Sequence, residues 1–123
     1  MDTRSAQDFA RQWVEAWNSH DLKRILSHFT DDVIFTSPLA TRILPESGGT
    51  VVGKAALGEY WREGLRLIPE LHFVVEGVYV GVDAVVINYR NQSGRLVCEV
   101  LMFEGDLVCQ GTATYCDEVV GDT

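Results

Sequence analysis

Residues 71–115 read LHFVVEGVYVGVDAVVINYRNQSGRLVCEVLMFEGDLVCQGTATY. Four runs in this stretch are rich in β-branched and aromatic residues: 71–80, 84–90, 95–104 and 107–115. The links between them are Gly81-Val82-Asp83, Asn91-Gln92-Ser93-Gly94 and Gly105-Asp106. Links this short join neighbouring antiparallel strands, whereas a parallel pair needs a crossover of a dozen residues or more. The stretch therefore predicts a four-stranded antiparallel meander.

Upstream the period changes. From Ser5 to Asn18, apolar residues fall at Ala6, Phe9, Ala10, Trp13, Ala16 and Trp17, the stripe of an amphipathic helix. Ser5 and Asp8 form a capping-box pattern at its start. Asp21 is an N-cap for a second, shorter helix with Leu22, Ile25, Leu26 and Phe29 on one face. A short strand at 33–36 follows and is stopped by Ser37-Pro38. Residues 39–50 read as an irregular loop, and 50–52 as a further short strand. A third helix opens at Gly53-Lys54, buries Leu57, Tyr60, Trp61, Leu65 and Ile68, and ends before Pro69. Three helices segregated from a meander make an α+β fold, here a strongly curved, mostly antiparallel sheet wrapped as a cone-shaped barrel around the helices. One domain over residues 1–123 is expected, with its core at about 5–116 and an acidic tail at 117–123. Such a sheet leaves a cavity at its wide end, the default place to look for a site.

Composition removes several classes of function. Eighteen acidic against ten basic residues give a net charge of −8, which disfavours nucleic acid and anionic membrane surfaces as partners. No apolar run approaches the roughly 20 residues that span a bilayer. Met1-Asp2-Thr3-Arg4 does not resemble a signal peptide, so a cytoplasmic location is expected. Cys98, Cys109 and Cys116 have neither disulfide nor zinc spacing and read as free thiols. No metal and no cofactor are expected, because no His, Cys and acid set has ligand spacing and Gly48-Gly49 lacks a phosphate-loop context.

Three segments resemble one family. Trp17-Asn18-Ser19-His20-Asp21-Leu22 with residues 29–38, Gly53-Lys54-Ala55-Ala56-Leu57 leading to Tyr60-Trp61, and the last hairpin from Glu99 to Tyr115 are similar to the SnoaL-like group of the nuclear transport factor 2-like superfamily. Within it, residues 21–38, 53–65 and 99–116 resemble ketosteroid isomerase. The resemblance implies that Ser37 stands at that enzyme's general-base Asp and Trp13 at its oxyanion-hole Tyr. Trp61 stands at a supporting Tyr and Glu99 at a protonated Asp. The acid is kept in kind, while the base and the phenol are replaced.

Glu99 is the foremost candidate. It alternates with Val97, Leu101 and Phe103 on one strand face, while Cys98, Val100 and Met102 make the other face apolar as well. A carboxyl in such a strand must be paired or protonated, which suits a general acid or a hydrogen-bond donor. The plainer alternative is pairing with a polar neighbour such as Tyr89 or Arg90 across the hairpin, or exposure at a sheet edge. A type I turn with Gly94 left-handed puts Tyr89 on the face of Glu99, and a tight Ser93-Gly94 turn puts Asn88 there; the first is preferred. Trp13, Trp17, Phe35, Tyr60 and Trp61 form either core or the aromatic walls of a pocket for a flat apolar ligand. Ser37 and Leu101 join that wall. Thr112, Thr114 and Cys116 alternate together, and the resemblance implies that their face turns inward. His20 reads as packed against its turn, His28 as solvated, and His72 as a residue that can reach a pocket rim.

The function expected is binding of an apolar or aromatic small molecule in an aromatic-lined cavity. One alternative is an isomerase, dehydratase or cyclase acting on a polycyclic or terpenoid ketone, with Glu99 as acid or oxyanion donor. Another is a ligand-free interaction domain. The apolar outer strand face predicts a homodimer under all three.

Overall fold

The computed structural model describes residues 1–117; the acidic tail expected at 117–123 lies outside them except for Asp117. The elements are α1 (Thr3–Asn18), α2 (Leu22–Leu26), β1 (Phe29–Thr36), α3 (Pro38–Ile43), a 3-10 turn at Pro45–Ser47, β2 (Thr50–Val52), α4 (Lys54–Leu67), β3 (Val74–Val80), β4 (Ala84–Arg90), β5 (Leu96–Glu104) and β6 (Leu107–Tyr115). The six strands form one mixed sheet in the order β2-β1-β6-β5-β4-β3. The meander β3 to β6 is antiparallel throughout, and β1 joins it as a parallel neighbour of β6. The α+β class and the helices against a mostly antiparallel sheet are as expected. The sheet stays open, with β2 and β3 as its two edges, so it is a cone and not a closed barrel.

The helix stripe of α1 is buried as its spacing predicts, at Ala6, Phe9, Ala10, Trp13, Ala16 and Trp17. Helix α1 packs on β3, and α4 packs on β1 and β2. Both bury apolar faces against the inward side chains of the sheet, Val85, Ile87, Val97 and Leu101 among them. Asp2, and not Ser5, caps α1, accepting from the Ser5 amide at 2.7 Å. Asp21 caps α2 as expected, accepting from the Arg24 amide at 3.2 Å.

Three boundaries differ from the sequence reading, each for a local reason. Among the described residues there are four α-helices, because Ser37-Pro38 is a helix start as well as a strand stop. The Ser37 hydroxyl accepts from the Leu39 amide at 3.2 Å and Pro38 sits in the first turn, where its missing N–H costs nothing. Strand β1 begins at Phe29, since the Val108 amide donates to the His28 carbonyl at 2.9 Å and draws the chain into the sheet early. Strand β3 begins at Val74 because residues 71–73 are bonded elsewhere. The Asn18 amide clamps Phe73, donating to its carbonyl at 2.9 Å and accepting from its N–H at 2.8 Å. His20, held at φ 58, places Nε2 2.8 Å from the Leu71 carbonyl.

The outer sheet face carries Val86, Cys98, Val100, Met102 and Thr112, joined by the pairs Val86↔Val100, Ala84↔Met102 and Val100↔Thr112. Ile34, Tyr79 and Met102 on that face are exposed. Among the described residues, no helix is long and apolar enough to cross a membrane.

Candidate functional site

The site is built around β5. Glu99 faces inward between Val97 and Leu101 and is 5% exposed. Tyr89 on β4 pairs with Val97, one step along the same face, and its hydroxyl donates to Glu99 Oε1 at 2.8 Å. The loop 91–94 sets this phase: Gly94 is left-handed (φ 79) and its amide returns to the Asn91 carbonyl at 2.9 Å, which places Tyr89 inward and Asn88 outward. Glu99 Oε2 is buried with no hydrogen-bond partner. Burial disfavours the charged form and pushes the carboxyl up to about 7, with the Tyr89 hydroxyl pulling it back. The Tyr89 hydroxyl is itself driven well above its ordinary range, first by burial and then by the Glu99 charge.

Beside this pair stands a second polar group. Tyr60 on α4 donates its hydroxyl to Ser37 Oγ at 3.2 Å, in a buried contact between the strand-to-helix corner and α4. Burial raises the Tyr60 hydroxyl above its ordinary range, against the pull of Ser37. Tyr115, at the end of β6, is raised by burial and by Glu99, while Ser37, Arg95 and Arg42 pull it down. Five oxygen-bearing groups from five segments of the chain thus face one small region.

The wall is aromatic. Trp17 and Trp61 meet edge to face at 4.9 Å, Phe35 meets Trp61 at 5.4 Å, and Phe73 lies 5.5 Å from Trp17 and 4.4 Å from Tyr89. These rings bound an inner pocket of about 50 Å³, whose lining also includes Ser37, Tyr60, Glu99, Ala113 and Tyr115. It adjoins an outer recess of about 380 Å³ that shares Leu39, Ile68, Leu71, Phe73, Tyr89 and Tyr115 with it. The recess adds Arg42 from α3, and Asn91, Gln92, Ser93 and Arg95 from the β4–β5 loop. The inner pocket has room for small groups only, whereas the recess is within the size range of small-molecule sites.

The structure brings Trp17, Phe35, Ser37, Tyr60, Trp61, Tyr89 and Glu99 together in the inner lining. Trp13 lies behind it, 1% exposed, stacked on Phe73 at 5.7 Å and tilted against Tyr89 at 5.2 Å. Leu101 is fully buried core next to Phe35. Thr112 and Thr114 point to the outer face, and Cys116 is exposed past the end of β6. The reason is a β-bulge. Phe103 pairs with Val108 but Met102 pairs with Gln110, so Cys109 is an extra residue. One extra residue reverses every side chain beyond it, so Gly111, Ala113 and Tyr115 take the inward positions. His72 is exposed and lines neither cavity. His28, expected in solvent, is half-buried with its ring edge-on to Phe9 at 5.3 Å. His20 and Asn18 serve the loop that delivers Leu71 and Phe73 to the site.

The residues missed are Tyr115, Phe73, Leu71 and the two arginines. Gly111 carried a signal: a glycine inside a strand marks close approach, and a Cβ there would meet the Phe35 ring at 2.8 Å. Among the described residues, no group of three or more His, Cys, Asp and Glu could hold a metal ion.

The family model of the SnoaL-like domain matches residues 10–110. A crystal structure of a SnoaL-like protein of unknown function from Burkholderia thailandensis is 44% identical, with a TM-score of 0.89 over 94% of this chain and 98% of that one. A protein of unknown function from Cytophaga hutchinsonii, described as NTF2-like, shares the fold at 11% identity and a TM-score of 0.70, covering 90% and 89% of the two chains. TerC, co-crystallised with polyporic acid, shares it at 14% identity and a TM-score of 0.74, covering 94% of each. No curated protein matches this chain.

Proposed function

We propose that this protein, which belongs to the SnoaL-like domain family, binds a small, flat, largely apolar molecule at the mouth of its cone, with Glu99 as the polar anchor. One observation carries the reading: Glu99 has one oxygen held by Tyr89 and the other buried without a partner, inside an aromatic wall. An unmet buried oxygen is costly, and a ligand hydroxyl or carbonyl relieves that cost. With its carboxyl pushed up to about 7, Glu99 donates to a ligand carbonyl when protonated and accepts from a ligand hydroxyl when ionised. The fold likeness to TerC, co-crystallised with polyporic acid, supports a small organic molecule as the occupant.

Binding is favoured over turnover by what surrounds the acid. An isomerase, dehydratase or cyclase needs a base opposite its acid. Ser37 and the raised hydroxyls of Tyr60, Tyr89 and Tyr115 do not take up a proton, and His72 is on the exterior.

The test uses 2-acetonaphthone, a flat neutral ketone, followed by quenching of tryptophan emission, since Trp17 and Trp61 line the site. Saturable quenching and a raised melting midpoint are expected, because a ligand bound only by the folded state stabilises it. Glu99→Leu, which keeps the volume and removes the anchor, should weaken binding roughly tenfold or more. Absence of saturable binding by the wild-type chain, or equal binding by Glu99→Leu, overturns the reading.

A further inference from the structure

We infer that the molecule taken by this site is an organic acid, bound with its anionic group in the outer recess against Arg42 and Arg95 and its apolar body directed toward the inner pocket. The inference rests on the binding role proposed above and adds the chemical class and orientation of the ligand.

The first ground is the distribution of charge. The chain carries 18 acidic and 10 basic residues. Yet the charged side chains lining the recess are two arginines and no acid. Elsewhere Arg11, Arg24, Arg66 and Arg90 each have a carboxylate within ion-pair distance. Among the described residues no ion pair is found for Arg42 or Arg95, as for the exposed Arg4 and Arg62, so it is the absence of an acid from the recess that sets this pair apart.

The second ground is that the arginines are presented by two separate elements. Arg42 projects from the last turn of α3, and Arg95 stands at the end of the β4–β5 loop. Arg95 is oriented: its guanidinium lies 5.1 Å from the centroid of the Tyr115 ring, and its Nε donates to the Cys116 carbonyl at 3.2 Å. The ring on which it lies is shared by the recess and the inner pocket. A planar, weakly hydrated guanidinium held this way suits a carboxylate or another flat anion.

The third ground sets the orientation. The deep end of the site holds Glu99, buried and with its Oε2 unpartnered. In a low-dielectric pocket a ligand carboxylate beside the ionised form of that group is repelled, so above about pH 7 an acid entering head-first is disfavoured. The arrangement therefore selects a ligand whose charge stays at the mouth and whose inner end is apolar or carries a neutral hydroxyl or carbonyl.

The experiment compares 2-naphthoic acid with 2-naphthamide, which match in shape and differ in charge, by tryptophan quenching of the full chain at pH 7.5. The wild-type protein should bind the acid about tenfold more tightly than the amide. The preference should shrink in high salt. It should fall to near unity in the Arg42→Gln/Arg95→Gln double variant and largely persist in Arg42→Lys/Arg95→Lys. Both side chains are exposed, so the variants should fold, as a melting curve will show. Equal binding of acid and amide by the wild-type chain, or an acid preference that survives the double glutamine change, overturns this inference and leaves the binding role standing. Failure of both probes together with 2-acetonaphthone overturns the binding role, and this inference with it.

Discussion

Along β5 the inward side chains run Val97, Glu99, Leu101, Phe103, and the two ends of that row obey different rules. At the closed end Leu101 is fully buried and Phe103 meets Phe9 edge to face at 4.9 Å. Apolar groups surround Leu101 there. Two residues away, Glu99 stands among Tyr89, Tyr60, Ser37 and Tyr115, with one oxygen unsatisfied and a pocket in front of it. The same strand thus supplies dense packing at one end and an incompletely satisfied polar cluster at the other. Close packing is concentrated around Leu101 and the unmet polar group at Glu99, the pattern expected of a site supported by a rigid scaffold.

The strongest contrast comes from truncating adjacent members of the row. Leu101→Ala leaves a cavity in close-packed core and should cost about 2–5 kcal/mol of stability, measured by denaturant unfolding. A loss well under 1 kcal/mol would mean that the closed end is as loose as the open one.

Glu99 should show the opposite behaviour, and its effect depends on pH. Its folded carboxyl is pushed up to about 7, above the ordinary value of 4.5. Between those values the folded chain holds more protons than the unfolded one, so this group's contribution to stability falls as pH rises from about 4.5 to 7 and is level above that. The drop is on the order of 3 kcal/mol. Glu99→Gln should remove this slope and leave the variant more stable than the wild type at pH 8, with the advantage gone near pH 4.5. Parallel pH–stability curves for the two proteins would show that Glu99 is not held in an apolar environment.

Much of this contrast is legible in the sequence, and where it is not the cause is physical. The faces of β4 and β5 follow from simple alternation, and the left-handed Gly94 fixes how the two strands pair, so Glu99 and Tyr89 can be placed together. The face of β6 cannot be read in that way. The family resemblance implies that Thr112 and Thr114 turn inward, and the bulge at Cys109 puts Ala113 opposite Glu99 instead. A bulge changes one backbone position and leaves no hydrophobic signature, since Val108, Cys109 and Gly111 fit either face. Helix α3 is hidden for a related reason: a proline after a serine both ends a strand and starts a helix. The arginines at the mouth come from distant segments, 42 and 95, and only the folded sheet brings them to one recess. Trp13 shows the converse error, because helical spacing predicts its burial but not that Phe73 and Tyr89 stand between it and the pocket.

The smallest effect examines the joint between the two ends. Gly111 pairs with Leu101 across the β5–β6 ladder and faces inward because of the bulge. A Cβ at this position would lie 2.8 Å from the Phe35 ring and 3.1 Å from a Leu101 methyl. Both neighbours are packed, and Phe35 also supports the pocket wall through Trp61. Gly111→Ala should therefore cost about 1–3 kcal/mol through overpacking, despite the higher strand preference of alanine. The double variant Leu101→Ala/Gly111→Ala discriminates further. Removing the Leu101 methyls relieves one of the two clashes and opens space for Phe35 to move. The pair should then cost less than the sum of the single changes, by about 0.5–3 kcal/mol of coupling. Strict additivity would mean that Gly111 does not approach Leu101, and hence that β6 is in the unbulged register that turns Thr112 and Thr114 toward Glu99.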